Sequence, residues 1–410
     1  DNELLTRVGP GTPMGDLMRR FWVPVLLASE LAEPDCEPVR VKSMGEYYVA
    51  FRDSQGRLGL LDARCPHRGA DLSFGINEED GLRCGRCYWK FDVDGNLLDL
   101  PMEPADSPLW KVKAPAFGIR EYGGLIWGYV GPQDETPELP EFEWTRVSPE
   151  QRQLSRFVVE CNYLQGVEGG LDAARLEALE QAGLYSGDPT ELDETTHTVQ
   201  AVQTDYGLSI GTTTQDGTAA GLAVTQWLMP FYTTLPADKG GVLEALAWVP
   251  MDDEATMAFA ITYNPKRALS KKVLADIRKG RRVHQRLSEG TVRRERNPSN
   301  GYMGEGRKGS ASLTPFFQRF ATTLEMAIAC QESMGAIVDR SREQLTDNDA
   351  AVEGARRVLK EAAVDLMEGT VPVIVSKGEA YRVRSYKGTA KDGVAFHEDE
   401  AVRRGTAAQV

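Results

Sequence analysis

The chain has 410 residues, enough for two or three domains with a sizeable buried core. Its apolar and charged fractions, 41% and 26%, are those of an ordinary globular protein, so neither a disordered nor a fibrous chain is expected. The net charge of -14 argues against general nucleic-acid binding, and no run of about twenty apolar residues predicts a membrane span.

The opening Asp1-Asn2-Glu3 lacks the basic and apolar regions of a signal peptide. Residues 1–37 read as an N-terminal extension. Within it, Met14 to Pro24 predicts a short helix running into an extended segment. From residue 38 to 144 the pattern becomes short alternating strands separated by turn residues. They are Val39–Lys42, Tyr47–Phe51, Leu58–Leu61, Trp89–Val93, Ile119–Tyr122 and Leu125–Val130. A small all-β domain is expected there, closed by a Pro- and Glu-rich linker from Gly131 to Trp144.

Two loops of that domain carry metal-ligand chemistry. The first holds Cys65-Pro-His67; after sixteen intervening residues comes Cys84-Gly-Arg-Cys87-Tyr-Trp89. Four soft or borderline ligands on two loops are how a protein holds a zinc ion or an iron–sulfur cluster. The other cysteines, Cys36, Cys161 and Cys330, are isolated, which suits a reducing cytoplasm better than a disulfide framework.

Residues 145–410 form the second domain. Phe157 to Ala182 predicts strand entry and then a helix. Strand-rich segments follow at Thr195–Ser209, Leu222–Phe231, Leu243–Val249 and Thr256–Tyr263. Arg267 to Leu287 predicts a Lys/Arg-rich helix with a solvated face. Asn297 to Ser312 reads as a Gly-rich loop over a pocket. Two long helices are expected at Thr314–Leu345 and Asp349–Glu368, and a polar tail that frays from about Lys391.

The first ligand stretch resembles the Rieske iron–sulfur motif, Cys-x-His followed by Cys-x-x-His and usually Gly-Trp. Cys65, His67, Cys84 and Trp89 match it, whereas Cys87 stands at the second His position and Tyr88 at the Gly. The resemblance implies a [2Fe–2S] cluster with Cys3His ligation by Cys65, His67, Cys84 and Cys87. The added thiolate charge would lower its reduction potential. A Cys3His set is also a standard closed zinc site.

Further motifs extend the resemblance over nearly the whole chain. They are Cys161-Asn-Tyr-Leu-Gln-Gly-Val-Glu-Gly-Gly-Leu-Asp172, Trp227-Leu-Met-Pro-Phe-Tyr232, Trp248-Val-Pro-Met-Asp-Asp-Glu254 and Gln331-Glu-Ser-Met-Gly-Ala-Ile-Val-Asp-Arg-Ser341. In this order they resemble α subunits of ring-hydroxylating Rieske oxygenases, in the phthalate 4,5-dioxygenase-like branch. The resemblance implies an α+β architecture. An N-terminal all-β Rieske-like domain is followed by a helix-grip, START-like domain with an antiparallel sheet and C-terminal helices.

In that family, Asp-x-x-His-x4-His and a later Asp hold a mononuclear Fe(II) in a facial triad. This sequence keeps Asp172 but has Arg175, Glu180 and Ala327 at the three ligand positions. It holds four histidines in all, His67, His197, His284 and His397. The resemblance therefore implies no mononuclear iron here. Arg175, with Asp172 one turn away and Glu180 if it reaches across, is expected to fill the vacated pocket as an ion pair. Asp172, which in the family bridges neighbouring subunits of a head-to-tail trimer, implies that this junction persists.

The leading expectation is a non-catalytic structural or electron-relay α-type subunit. Its partner would be a catalytic paralogue in a trimer-based hetero-oligomer, with a reductase or ferredoxin as possible donor. No nucleotide-binding Gly-rich fingerprint follows a strand, so any such cofactor belongs to a partner. The alternatives are an active oxidoreductase with an altered metal centre, and a small-molecule-binding or sensing protein that uses the START-like cavity.

Overall fold

The computed structural model describes residues 1–181, 196–216, 219–236, 240–296, 320 and 322–408; the side chains of 173–181, 196–197, 215–216 and 219 are outside that description. The chain divides into two compact units, Val8–Glu138 and a second made of Asp1–Arg7 with Leu139–Val410. Residues 1–37, read as an extension of their own, are thus shared between the two. Helix α1 (Asn2–Thr6) belongs to the larger unit, where the Leu5 carbonyl accepts from Tyr163 Oη and the Thr6 carbonyl from Asn162.

The unit Val8–Glu138 starts with helix α2 (Pro13–Met18), whose N-terminus Thr12 caps through its hydroxyl. Three small antiparallel sheets follow. Strand β1 (Val23–Leu27) belongs to the first, and β2 (Val39–Ser43), β3 (Glu46–Arg52) and β4 (Leu58–Asp62) form the second. A four-stranded meander is built of β5 (Ile76–Glu78), β6 (Gly81–Arg83), β7 (Lys90–Phe91) and β8 (Leu97–Asp99). Strands β9 (Gly118–Tyr122) and β10 (Leu125–Tyr129) complete the first sheet in the order β1-β10-β9. All six expected strands are present. The one at Trp89–Val93 shrinks to Lys90 and Phe91, because the register shifts there against β8.

The linker read at Gly131–Trp144 ends inside the larger unit. Phe142, Glu143 and Trp144 are buried there, and helix α3 (Glu143–Arg146) begins at that point. The Glu143 carboxylate accepts from Tyr263 Oη and from Arg384. Burying a carboxylate is tolerated here because a charged donor meets it.

The larger unit is organised on one antiparallel sheet. Strand β11 (Arg152–Val159) leads into helix α4 (Tyr163–Gln181). Then come β12 (Thr196–Gln203), β13 (Gly207–Asp216), β14 (Ala219–Leu228), β15 (Tyr232–Leu235), β16 (Leu243–Pro250) and β17 (Thr256–Tyr263). The strand order is β11-β17-β16-β15-β14-β13-β12. Every residue of β17 is buried, as a strand covered on both faces requires. Helix α4 packs against β14, β15 and β16.

Two helices depart from the sequence reading. The helix expected over Arg267–Leu287 is α5 (Lys271–Arg278) alone. Gly280 takes the left-handed conformation at φ +67, and the Arg281 N–H returns to the Asp276 carbonyl, which stops the helix. In place of one helix over Thr314–Leu345, the described residues show α6 (Thr323–Ser333). Beyond it, the Gly335 carbonyl and the Val338 N–H are both taken by the Gln165 side chain, which holds the chain away from a helical path. Helix α7 (Ala350–Met367) matches its expectation. The loop Asn297–Ser312 lies outside the described residues.

The tail expected to fray from about Lys391 is folded over its described residues, to 408. Strand β18 (Tyr386–Thr389), just before it, pairs with β14, and helix α8 (Glu400–Thr406) lies within it. Phe396 and Val402 are buried against Leu222 and Val224. Asp399 caps α8 and pairs with Lys391 at 2.7 Å.

His284 is the one deeply buried histidine among the described residues. Its ring nitrogens lie 2.6 Å from Ser155 Oγ and 3.0 Å from Thr262 Oγ1. Burial, with help from Arg282, lowers its pKa from 6.5 to about 4. The unfolded chain therefore takes up the proton first as pH falls. The stability contributed by neutral His284 is present above pH 6.5 and is lost as pH falls towards 4. The loss should reach about 3 kcal/mol, read by denaturant unfolding across that window. The His284→Gln variant should be weaker at neutral pH but show a flatter pH dependence.

Candidate metal centre

Two loops of the smaller unit are built to one hydrogen-bond pattern. In the first, the Cys65 N–H donates to the Ala70 carbonyl and the Gly69 N–H to the Cys65 carbonyl, both at 2.8 Å. In the second, the Cys84 N–H donates to the Trp89 carbonyl at 2.8 Å and the Tyr88 N–H to the Cys84 carbonyl at 3.0 Å. Each loop returns through a left-handed residue at its fifth position, Gly69 at φ +72 and Tyr88 at φ +63. Glycine adopts that conformation freely; tyrosine does so at a cost.

This equivalence places the ligands. Cys65 and Cys84 open the two loops and are buried, packed with Leu72, Leu82, Trp89, Phe91 and Leu100. His67 is the third residue of its loop, whereas Cys87 is the fourth of its own. The Sγ atoms of Cys65, Cys84 and Cys87 all lie within 4.8 Å of one another, and Cys65 and Cys87 are 3.6 Å apart. His67 stands beside this group, exposed, with its ring stacked on Trp89 at 4.8 Å and 23°. The structure thus brings three of the four expected ligands together and places the fourth on their rim.

The electrostatics of the three thiols differ. Burial pushes Cys65 up to about 12 and raises Cys87 as well. Burial acts on Cys84 in the same direction, but hydrogen bonds from the backbone N–H groups of Cys87 and Arg86 and from the Cys87 and Cys65 thiols together outweigh it and hold that thiol below its ordinary value. An open cleft of about 750 Å³ borders the group, lined among others by His67, Arg68, Arg86, Cys87 and Trp89. Arg68 and Arg86 thus line the cleft that Cys87 borders.

The other predicted site residues lie in the larger unit. Asp172, Arg175 and Glu180 are all on α4, and Asp172 is half-buried. The side chains of Arg175 and Glu180 lie outside the described residues, and so does the ion pair expected between them and Asp172. Ala327 is buried on α6, where its methyl group offers no donor atom.

Sequence reasoning missed what holds α6 in place. Glu332 is buried and accepts from Arg294 at 2.6 Å, Arg296 at 2.8 Å and the Glu160 N–H at 2.8 Å. Nearby, Glu168 of α4 pairs with Arg340 at 2.8 Å and with Arg356 at 2.7 Å. The available signal was Glu332 near the end of α6, together with the Arg293-Arg294-Glu295-Arg296 run before it.

Comparison with known proteins covers both units. Residues 21–118 match the model of the family described as Rieske [2Fe-2S] domain, and residues 128–408 that described as LigXa C-terminal domain like. The chain is 32% identical to the 3-chlorobenzoate-3,4-dioxygenase oxygenase subunit of Comamonas testosteroni, over 93% of this chain and 92% of that one. It is 32% identical to the phthalate 4,5-dioxygenase oxygenase subunit of Pseudomonas putida, over 90% and 87%. Among solved structures it resembles NdmA of Pseudomonas putida CBB5 in fold. The TM-score is 0.59 at 17% identity, over 93% of this chain and 100% of that one.

The paired loops generate a paired prediction. The Tyr88→Gly variant should gain about 1 kcal/mol of stability by releasing the left-handed tyrosine. The Gly69→Ala variant should lose about as much, for its added methyl meets nothing within 4 Å and acts through φ alone. Chemical denaturation of the full-length variants reads both, and equal changes of one sign would contradict the equivalence of the loops.

Proposed function

The chain belongs to the Rieske oxygenase α subunits of the phthalate dioxygenase-like branch, and on that premise we propose that it is a non-catalytic α-type subunit that assembles with a catalytic paralogue. One observation carries this reading. Ala327 is buried on α6, and the spacing to Gln331-Glu332-Ser333-Met334-Gly335 supports matching it to the position at which the family's third iron ligand is a carboxylate. A methyl group cannot ligate a metal, and Arg175 on α4 stays protonated and repels one. Histidine is equally scarce, since both ring nitrogens of His284 are engaged by hydroxyl groups. The donor set does not fit a mononuclear iron, so no oxygen chemistry is assigned to this chain.

What the chain keeps is the framework. Asp172 is retained on α4, which supports a preserved subunit junction in a trimer-based hetero-oligomer. Electron relay through this chain would need a two-iron cluster at Cys65, His67, Cys84 and Cys87, together with a reductase or ferredoxin partner. All six cysteines are free thiols, which supports a reducing, cytoplasmic setting. Among the described residues no helix is long and apolar enough to cross a membrane.

The test has two arms. Purified alone and supplied with Fe(II), a reductase, NAD(P)H and oxygen, the chain should not convert phthalate or 3-chlorobenzoate, while co-expression with a catalytic paralogue should yield a stable complex. The Arg175→His/Glu180→His/Ala327→Asp variant should gain about one tightly bound Fe(II) per chain that the parent lacks. Turnover by the unmodified chain alone would overturn the reading.

A second reading, a small-molecule-binding protein, is favoured by a specific observation. Four buried polar atoms without hydrogen-bond partners lie on one face of the large sheet: Thr225 Oγ1, Trp227 Nε1, Thr233 Oγ1 and Trp248 Nε1. Helix α4 covers that face, and a Cβ on Gly170 would meet Trp248 Nε1 at 2.9 Å and Thr233 Oγ1 at 3.0 Å. Indole N–H groups only donate, so the occupant must bring acceptors, as a carbonyl or carboxylate does. Calorimetry with benzamide and benzoate should detect binding that Trp248→Phe weakens about fivefold; an unchanged affinity would remove this reading.

A further inference from the structure

We propose that Cys65, Cys84 and Cys87 bind one tetrahedral divalent ion, zinc by its chemistry, rather than sharing a two-iron cluster. The inference deepens the non-catalytic reading, on which it rests: a zinc centre leaves this chain structural and takes electron relay from it.

The geometry points this way. A Rieske centre divides its ligands two and two, with the cysteines on one iron and the histidines on the other. Donors on different irons then face each other across the width of the cluster. Here three sulfurs converge on one point, each within 4.8 Å of the others. A tetrahedral zinc with Zn–S bonds of about 2.3 Å sets its sulfurs about 3.8 Å apart. The Cys65–Cys87 separation of 3.6 Å is already close to that edge.

The cause is side-chain reach. The second loop has the same backbone hydrogen bonds as the first, so its frame is not displaced. A histidine at position 87 would carry its nitrogens well beyond Cβ; cysteine ends one bond past it. The donor at 87 therefore falls short of a second iron and lands beside Cys65. His67 did not follow it inward: its ring is stacked on Trp89 and lines the cleft that also borders Cys87. Turned from that stack, the imidazole would complete the Cys3His set of a closed structural zinc site. Three thiolates against one divalent cation leave a single negative charge, and Arg68 and Arg86 line the same cleft.

The experiment uses the full chain, expressed with iron, sulfide source and zinc all in supply and purified without oxygen. Zinc, iron and acid-labile sulfide are measured per chain, with an absorption spectrum and EPR of the dithionite-reduced protein. The expected result is about one zinc, no sulfide and no EPR signal. The Cys87→His variant should exchange zinc for about two irons with matching sulfide, and the Cys87→Ser variant should lose zinc. About two irons with sulfide in the parent chain, or no metal at all, would overturn the proposal; so would a Cys87→His variant that still holds zinc alone. The non-catalytic reading fails separately, through turnover or a third iron, so a parent chain with a two-iron cluster and no turnover would sink the zinc site and leave that reading standing.

Discussion

Gly166, Gly169 and Gly170 lie at helical spacing on the face of α4 that meets its neighbours, and the larger unit depends on how closely they let it approach. A Cβ at Gly166 would stand 2.5 Å from the Trp248 ring, and one at Gly169 only 1.3 Å from Gln331 Nε2. Glycine inside a helix costs about 1 kcal/mol per residue in propensity, so three on one face must be offset by packing. Trp248 and Trp227, both fully buried on the sheet face that α4 covers, supply it. The same approach sets α6 against α4, with Gln165 donating to the Gln331 and Gly335 carbonyls. The position of Ala327 is thus decided by glycines far from it in sequence.

Ion pairs within the larger unit hold that frame. Glu332 binds two arginines and a backbone N–H, and Glu168 binds two more arginines. The Arg294–Glu332 pair is buried and the others are half-buried; together they tie α4 and α6 to the end of β11 and to the segments around Arg294 and Arg340. Removing one member of such a pair is costly because the other charge stays buried.

The smaller unit shows a similar separation of frame from ligand. The two loops keep their matched hydrogen bonds although Cys replaces His at position 87 and Tyr replaces Gly at 88. Backbone N–H and C=O groups make those bonds, so the side chains can change while the loops hold. What changes is the donor set. Its chemistry follows from how far each side chain extends from a fixed backbone.

Much of this was legible in the residues. The spacing of Cys65, His67, Cys84 and Cys87 located the metal loops, and the period-2 runs located the longer strands. Strands β5, β6 and β8 were missed because three residues carry too little alternation to register. The end of α5 was misjudged although Gly280 marked it. The final segment looked too polar to fold, since Phe396 and Val402 are isolated apolar residues with no period of their own.

By itself the sequence determined which atoms are available: three thiols and an imidazole on two loops, and a methyl group at Ala327. These are properties of residue types, and no fold alters them. Only the tertiary structure decided where those atoms meet. That Cys87 Sγ lies 3.6 Å from Cys65 Sγ, and that His67 stacks on Trp89, depends on loop frames and side-chain reach set by packing across distant residues. Distances between groups far apart in the chain come from the whole core at once, which is why local pattern names the ligands but leaves their arrangement open.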